Sequence, residues 1–431
     1  ARYDAGDVVG QLNVIESGLH SVRSAFDLMP IEGEAAAGNV ASRLAQLPGV
    51  LEQIKESVTY AAERGRLAST AQILEVAKQC DMWTDPAGDN FYPELARRVI
   101  AANDRSGPAA SAAAHDPDRS ADLPDGLRAD LERDAAEAAA ATAAFGQWLR
   151  TELAPRGAAK DAVGRERYQL ASQYFLGDTV DLDETYAWGF EELARLEAEM
   201  RVVAGKVVPD GGIDEAVAEL DRDPSRTIPG KEAFRDWMQQ LSDQAVAELA
   251  GTHFDIPEQV RLLECRIAPT SDGSIYYTGP SEDFTRPGRM WWSVPQGITE
   301  FSTWREVTTV YHEGVPGHHL QVAQTAVRAE LLNRYQRLLC WVSGHGEGWA
   351  LYAENLMDEL GYLEDPGDRL GMLDGSAFRA GRTAGSRTRT CASSSTGTWG
   401  GRGRPRPTRW ASGRGCRRAR MPRRARARTS T

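Results

Sequence analysis

The stretch that most limits this chain is Tyr311-His312-Glu313-Gly314-Val315-Pro316-Gly317-His318-His319-Leu320-Gln321. A helix entering from Trp304 meets Pro316, which has no N–H and whose ring presses on the carbonyl of His312, four residues back. The helix must kink or stop within 314–317, and His318 and His319 should open a new segment. The usual H-E-x-x-H motif stacks two histidines on one face of one helix. Here the position four after His312 is Pro316, so any shared site has to arise from the break itself.

Four of the seven histidines lie between 312 and 345. A second block, Gly344-His345-Gly346-Glu347-Gly348-Trp349-Ala350-Leu351-Tyr352-Ala353-Glu354, adds two carboxylates. Clustered nitrogen and oxygen donors suit zinc, which as a catalytic ion takes three protein ligands and keeps one position open for water. Glu313, directly after the first histidine, stands where a zinc hydrolase carries its general base. One histidine on a helix is more often a core or surface residue than a ligand. Three clustered histidines with Glu313 and Glu347 favour a metal site.

These two motifs, H-E-x-x-P-G-H-H-L-Q and E-G-W-A-L-Y-A-E, resemble a large bacterial family known as domain of unknown function 885. Three further stretches fit the resemblance: 176–189, 276–294 with its Arg286-Pro287-Gly288, and 370–378. The resemblance implies a zinc metallopeptidase, distantly similar to the mostly helical thimet-oligopeptidase and Taq-carboxypeptidase group. On that pattern His312 is the first zinc ligand, His318 or His319 the second and Glu347 the third. Helical arithmetic favours His319, which seven steps of about 100° return to the face of His312, but the Pro316 break voids it. The helical peptidases read Gly before their second His, as Gly317-His318 does, so His318 is taken as the ligand. His319 is then expected to face the substrate or to support the ligands.

Glu354, seven residues after Glu347 and on the same helical face, is placed to orient a ligating histidine. A solvated face is its alternative. A hydrolytic transition state also needs a donor besides the metal. Candidates are the non-ligating histidine, His345, Tyr276, Tyr277 and Arg286. Arg286 would alternatively pair with a substrate carboxylate.

The chain has 431 residues, enough for one large core or two ordinary ones. No apolar run approaches the ~18–20 residues of a membrane span. No signal-peptide pattern opens the chain, which starts as if in mid-domain; a cytoplasmic location is expected, with removal of an export segment left open. The five cysteines show no C-x-x-C spacing, which argues for reduced thiols. The net charge of −12 hides a division: 379–431 holds 16 Arg and no Lys, Asp or Glu, leaving 34 basic against 62 acidic residues elsewhere, a net of −28. An acidic body disfavours nucleic acid.

Along the chain, apolar residues at helical spacing predict helices over 41–62, 68–83, 92–102, 127–153, 165–175, 181–207, 213–220 and 231–249. Asp183 is read as the cap of the 181–207 helix, and Trp188, Phe190, Leu193 and Leu196 as its core positions. His20 is read as structural, and the Pro- and Ser-rich stretch 107–124 as a loop. From Phe254 the pattern alternates: 259–269, 274–277 and 290–294 read as short strands with turns at Asp272-Gly273 and Pro287-Gly288. An edge strand of this sheet would either hold an extended peptide or form a structural flap.

The resulting expectation is a mainly α protein, a large bundle-like helical architecture with a small antiparallel sheet beside the metal-site helix. Its divisions are a helical part at 1–253 and a sheet with metal-site helices at 254–380, in one structural unit. An Arg-rich tail at 381–431 has too few aliphatic residues to fold alone and has the composition of an out-of-frame read of GC-rich DNA. The expected activity is zinc-dependent hydrolysis of short peptides, with Glu313 as base and with no nucleic-acid or membrane partner. A peptide-binding protein without catalysis and a basic-tailed nucleic-acid binder are the alternatives. The intact His312-Glu313 pair speaks against the first, and the acidic body against the second.

Overall fold

Helical periodicity becomes helix through most of the chain. The computed structural model describes residues 12–14, 17–104, 122–271 and 275–383. These all fall in one of two contact units, 1–400; the other, 401–431, lies outside the described residues. In order come α1 (Gly18–Ala25), α2 (Glu34–Glu63), α3 (Thr70–Thr84), α4 (Phe91–Ala102), α5 (Asp125–Trp148), α6 (Arg165–Leu176), α7 (Leu182–Val207), α8 (Ile213–Leu220), β1 (Thr227–Pro229) and α9 (Lys231–Leu249). Then follow β2 (Leu263–Ile267), β3 (Ile275–Thr278), β4 (Gly288–Trp292), β5 (Glu300–Ser302), α10 (Thr303–Glu313), α11 (His318–Ala326), α12 (Arg334–Leu338), α13 (Ser343–Glu359) and α14 (Pro366–Thr383). The protein is mainly α.

The buried apolar side chains gather in three clusters. The first joins α1–α5, with Leu44, Ile73, Trp83, Phe91 and Leu131 nearly solvent-free. Each fully buried side chain of this size contributes about 1.5–3 kcal/mol. The second joins α7–α9 to α10, α11, α13 and α14. Helices on both sides of residue 253 therefore share one core. The third is small: Phe234 and Met238 of α9 pack with Leu263, Cys265, Met290, Trp292, Phe301 and Val310. Phe234 stacks on Phe301 at 4.4 Å. Val310 carries this cluster onto α10, so the sheet is fixed directly to the helix that bears His312 and Glu313.

The main sheet runs β2-β4-β3. The β3–β4 pair is antiparallel, with Tyr276 opposite Trp291 and Tyr277 opposite Met290. The β2–β4 pair is parallel, so the sheet is mixed where an antiparallel one was expected. Strand alternation gives residue faces but carries no direction, which the connection through β3 decides. β1 and β5 form a separate antiparallel pair.

Several local features differ from what the sequence predicts. The cap of α7 is Asp181, whose carboxylate accepts from the amides of Asp183 and Glu184; Asp183 pairs instead with Arg165. Leu193 and Leu196 are buried, whereas Trp188 and Phe190 are exposed. α6 buries none of its residues. His20 is structural, held between Ser17 Oγ at 2.7 Å and Gln79 Oε1 at 2.9 Å. The loop reading for 107–124 falls mostly outside the described residues, as does the tail beyond residue 383; helix α14 includes 381–383, the first residues assigned to that tail.

Candidate metal centre

Helix α10 is buried on nearly every side, between α9, α13 and α14. It ends at Glu313, as Pro316 requires, and α11 begins at His318. The Val315–Pro316 peptide is cis. Gly317 permits the sharp return, because a Cβ there would overlap the carbonyl of His312. The turn's polar groups are satisfied: Gly317 N donates to Tyr311 O at 3.1 Å, and His319 N to Gly314 O at 3.1 Å. From α13, Trp349 Nε1 donates to Pro316 O at 2.9 Å. The Trp of the Glu-Gly-Trp motif therefore clamps the break, a role its sequence context did not reveal.

The break brings His318, not His319, to His312. Among the described residues, His312, His318 and Glu347 offer ligand atoms all within 4.8 Å of one another. Each histidine turns Nε2 toward the Glu347 carboxylate, His312 at 3.5 Å from one oxygen and His318 at 3.7 Å from the other. Ligands in a tetrahedral zinc site stand about 3.3–3.4 Å apart when each lies ~2.0–2.1 Å from the ion. Both histidines are buried, and Glu347 enters from the solvent side.

Glu354 is fully buried rather than solvated. One carboxylate oxygen lies 2.7 Å from His312 Nδ1 and the other accepts from Thr308 Oγ1 at 2.7 Å. Glu354 thus fixes a proton on His312 Nδ1 and aims Nε2 toward Glu347, the nitrogen that would be offered to a bound ion. Thr308 stands one helical turn before His312, so i,i+4 spacing could have found it. Burial pulls the pKa of His312 down, but hydrogen bonds to Glu347 and Glu354 and the nearby Glu313 charge outweigh it, pushing it up to about 9. The contacts with His312 and His318 hold Glu347 well below the usual carboxylate range. Two imidazole nitrogens and one carboxylate, from His312, His318 and Glu347, form a donor set of the type that holds zinc. The residues therefore fit zinc.

A cavity of about 400 Å³ opens beside them, lined by Ile275, Tyr276, Tyr277, Glu313, His318, Trp341 and Glu347 among others. The Trp341 ring packs edge-on against His318, at 5.7 Å. The remaining candidates are placed differently. His319 lies behind the cavity wall, 1% exposed, with Nε2 at 2.6 Å from Val260 O and Nδ1 at 2.9 Å from the Tyr277 hydroxyl. Burial lowers its pKa to about 4. It is not positioned to touch substrate, because α11 starts at His318 and turns the next side chain about 100° away. Tyr276 lines the cavity while its hydroxyl reaches toward Asp27 at 3.4 Å. Arg286 donates to Gly279 O at 2.9 Å and Pro287 O at 3.2 Å, tying its own loop. His345 is exposed beside Gln321, at a different cavity.

The chain belongs to the family described as "Bacterial protein of unknown function (DUF885)", whose model matches residues 1–384. No curated protein matches it. Among solved structures, it is similar to one described as "putative lipoprotein from Colwellia psychrerythraea": TM-score 0.71, 21% identity, 87% of this chain and 64% of that chain covered. This chain thus spans less than two thirds of that relative's length. A second, "a putative lipoprotein of unknown function from Shewanella oneidensis", aligns with TM-score 0.47 and 14% identity over 89% of this chain and 67% of that one. The Colwellia likeness establishes the fold.

Proposed function

We propose that this protein is a zinc-dependent hydrolase of peptide bonds in short peptides. The observation that carries the reading is the convergence of His312, His318 and Glu347, with His318, Glu347 and Glu313 lining one cavity. Zinc held by those three side chains would polarise a substrate carbonyl and make water a better nucleophile. The Glu313 carboxylate takes a proton from the attacking water and returns it to the leaving nitrogen. Glu354 keeps the His312 ring in one orientation with its proton on Nδ1. Strand β3 is at an edge of the described sheet and brings Ile275, Tyr276 and Tyr277 to the cavity, which supports backbone pairing with an extended peptide. Arg286, spent on its own loop, is withdrawn from substrate binding.

Elemental analysis should find zinc in the purified chain, and His312→Ala and Glu347→Ala should lose it. Glu313→Gln should keep the metal and lose about 10²–10⁴-fold in turnover. A Glu313→Gln variant that hydrolyses peptides at the parent rate ends the proposal. Among the described residues no helix is long and apolar enough to cross a membrane. The description of the Colwellia relative as a lipoprotein favours an exported location over the cytoplasmic one expected from sequence; cell fractionation with an antibody to this chain tests it.

A further inference from the structure

The cavity beside the metal ligands has an apolar side that the proposed proton transfers leave unused. Trp341 lines it and is half-exposed, so its ring is open to what enters. Close packing holds the ring there. Gly346, in the first turn of α13, has no side chain, and a Cβ at that position would overlap the Trp341 ring. A Cβ on Gly344 would press on the backbone of Leu176 at the end of α6, so the chain between Trp341 and α13 is pinned as well. The ring meets His318 edge-on, with centroids 5.7 Å apart. The same cavity receives Ile275 and Tyr276 from β3 and Val322 from α11. Among the described residues lining it none is Lys or Arg, and the acidic ones are Glu313 and Glu347. An acidic substrate side chain would therefore meet two carboxylates and no basic partner. An apolar one would leave water against Trp341, Ile275 and Val322. At about 400 Å³ the cavity lies at the small end of ligand sites, which run ~300–1,000 Å³, and suits a short piece of peptide.

We propose that Trp341 is a specificity-determining residue, whose ring forms the wall of an apolar subsite for a large apolar side chain of the substrate. Its contact with His318 sets the subsite one ring away from the metal ligands, so the side chain it holds belongs to a residue beside the cleaved bond. Aromatic side chains fit best, because ring pairs gain from offset or edge-to-face packing beyond the area they bury. The substrate class is then short peptides with a large apolar residue at the cleaved bond, and peptides with Asp or Glu there are rejected. The inference rests on the peptidase reading of the site.

The test uses the zinc-loaded full chain and internally quenched alanine pentapeptides in which one residue at a time is replaced by Phe, Leu or Glu. In the parent, Phe at one position beside the cleaved bond should raise kcat/KM about 10–100-fold over Ala, from the apolar area it buries. Glu there should be the poorest. Trp341→Ala should lower kcat/KM about tenfold for that Phe peptide and leave the Ala peptide near the parent value. Trp341→Phe should restore most of the preference. Independently of turnover, elemental analysis should find the parent's zinc content in both variants. A parent that favours Ala or Glu over Phe and Leu overturns the proposal. So does a Phe-to-Ala ratio that Trp341→Ala leaves unchanged, or a loss of zinc in that variant, either of which would reduce Trp341 to a support for its neighbours. If Trp341→Ala does not fold, Trp341→Leu is read in its place, with a loss of about threefold in the ratio expected. If the parent cleaves none of the peptides, the peptidase reading falls by itself. Calorimetric binding of the same peptides then decides the inference. Binding of a Phe peptide about tenfold tighter than the all-alanine one, lost in Trp341→Ala, supports it; equal or absent binding overturns it.

Discussion

The α1–α5 cluster and the α10–α13 region are both buried, but they bury different chemistry. The first is filled by aliphatic and aromatic side chains, with Arg23 and Asp134 the buried charged residues along it. The second encloses Glu306, His312, Glu313, His318, His319 and Glu354. Removing such groups from water costs several kcal/mol per charge unless each is paired. The first region is therefore explained by stability alone. The second carries a cost that apolar residues of similar size would avoid, and Glu313 and His318 line one cavity with Glu347. That contrast is the physical ground for placing function at α10–α13.

The sharpest way to break the contrast is Glu354→Ala. It strips His312 and Thr308 of their shared partner, so stability should fall by about 3–5 kcal/mol and metal affinity by about 10–100-fold. Thermal melting and metal titration read the two effects; a variant unchanged in both would mean this pairing has no special weight. Leu44→Ala, in the dry region, should cost about 2–5 kcal/mol through the cavity it leaves and should not alter metal affinity. Denaturant unfolding with a parallel metal titration checks this, and a loss of metal would show the regions to be coupled.

A smaller effect is expected from Trp349→Phe, which removes the indole donor to Pro316 O. It should cost about 1 kcal/mol, measured by denaturant midpoint, with zinc retained. A pH-dependent effect concerns Asp368 in α14. Burial, with the nearby Asp365 charge, raises its pKa to about 7 against the opposing pull of Arg226. A folded pKa above the unfolded value gives stability that is fully present below about pH 4 and is lost as pH rises through 7. Asp368→Asn should flatten that part of the profile, so that parent and variant differ more at pH 8 than at pH 4. Melting temperatures across that range test the sign.

Much of this protein is settled by its sequence. Apolar spacing marks the helices because a 3.6-residue period is a local property, and α8 and α9 fall where that period places them. Pro316 ends α10 for an equally local reason, the missing N–H and the clash with His312 O. The clustering of His312, Glu313, His318 and Glu347 is also legible in the sequence.

Other features belong to the tertiary structure. The direction of β2 against β4, the exposure of Trp188 and Phe190, and the burial of Glu354 depend on which neighbours arrive from distant parts of the chain. The fate of His319 is the clearest case. Its position beside His318 gave it a place near the site, but the path through 314–317 sent the two adjacent rings to opposite sides of a wall. One meets Glu347 across the cavity, and the other meets Val260 and Tyr277 behind it. Sequence spacing supplies donor types; only the three-dimensional path assigns each ring nitrogen its partner, because a hydrogen bond depends on direction as well as proximity.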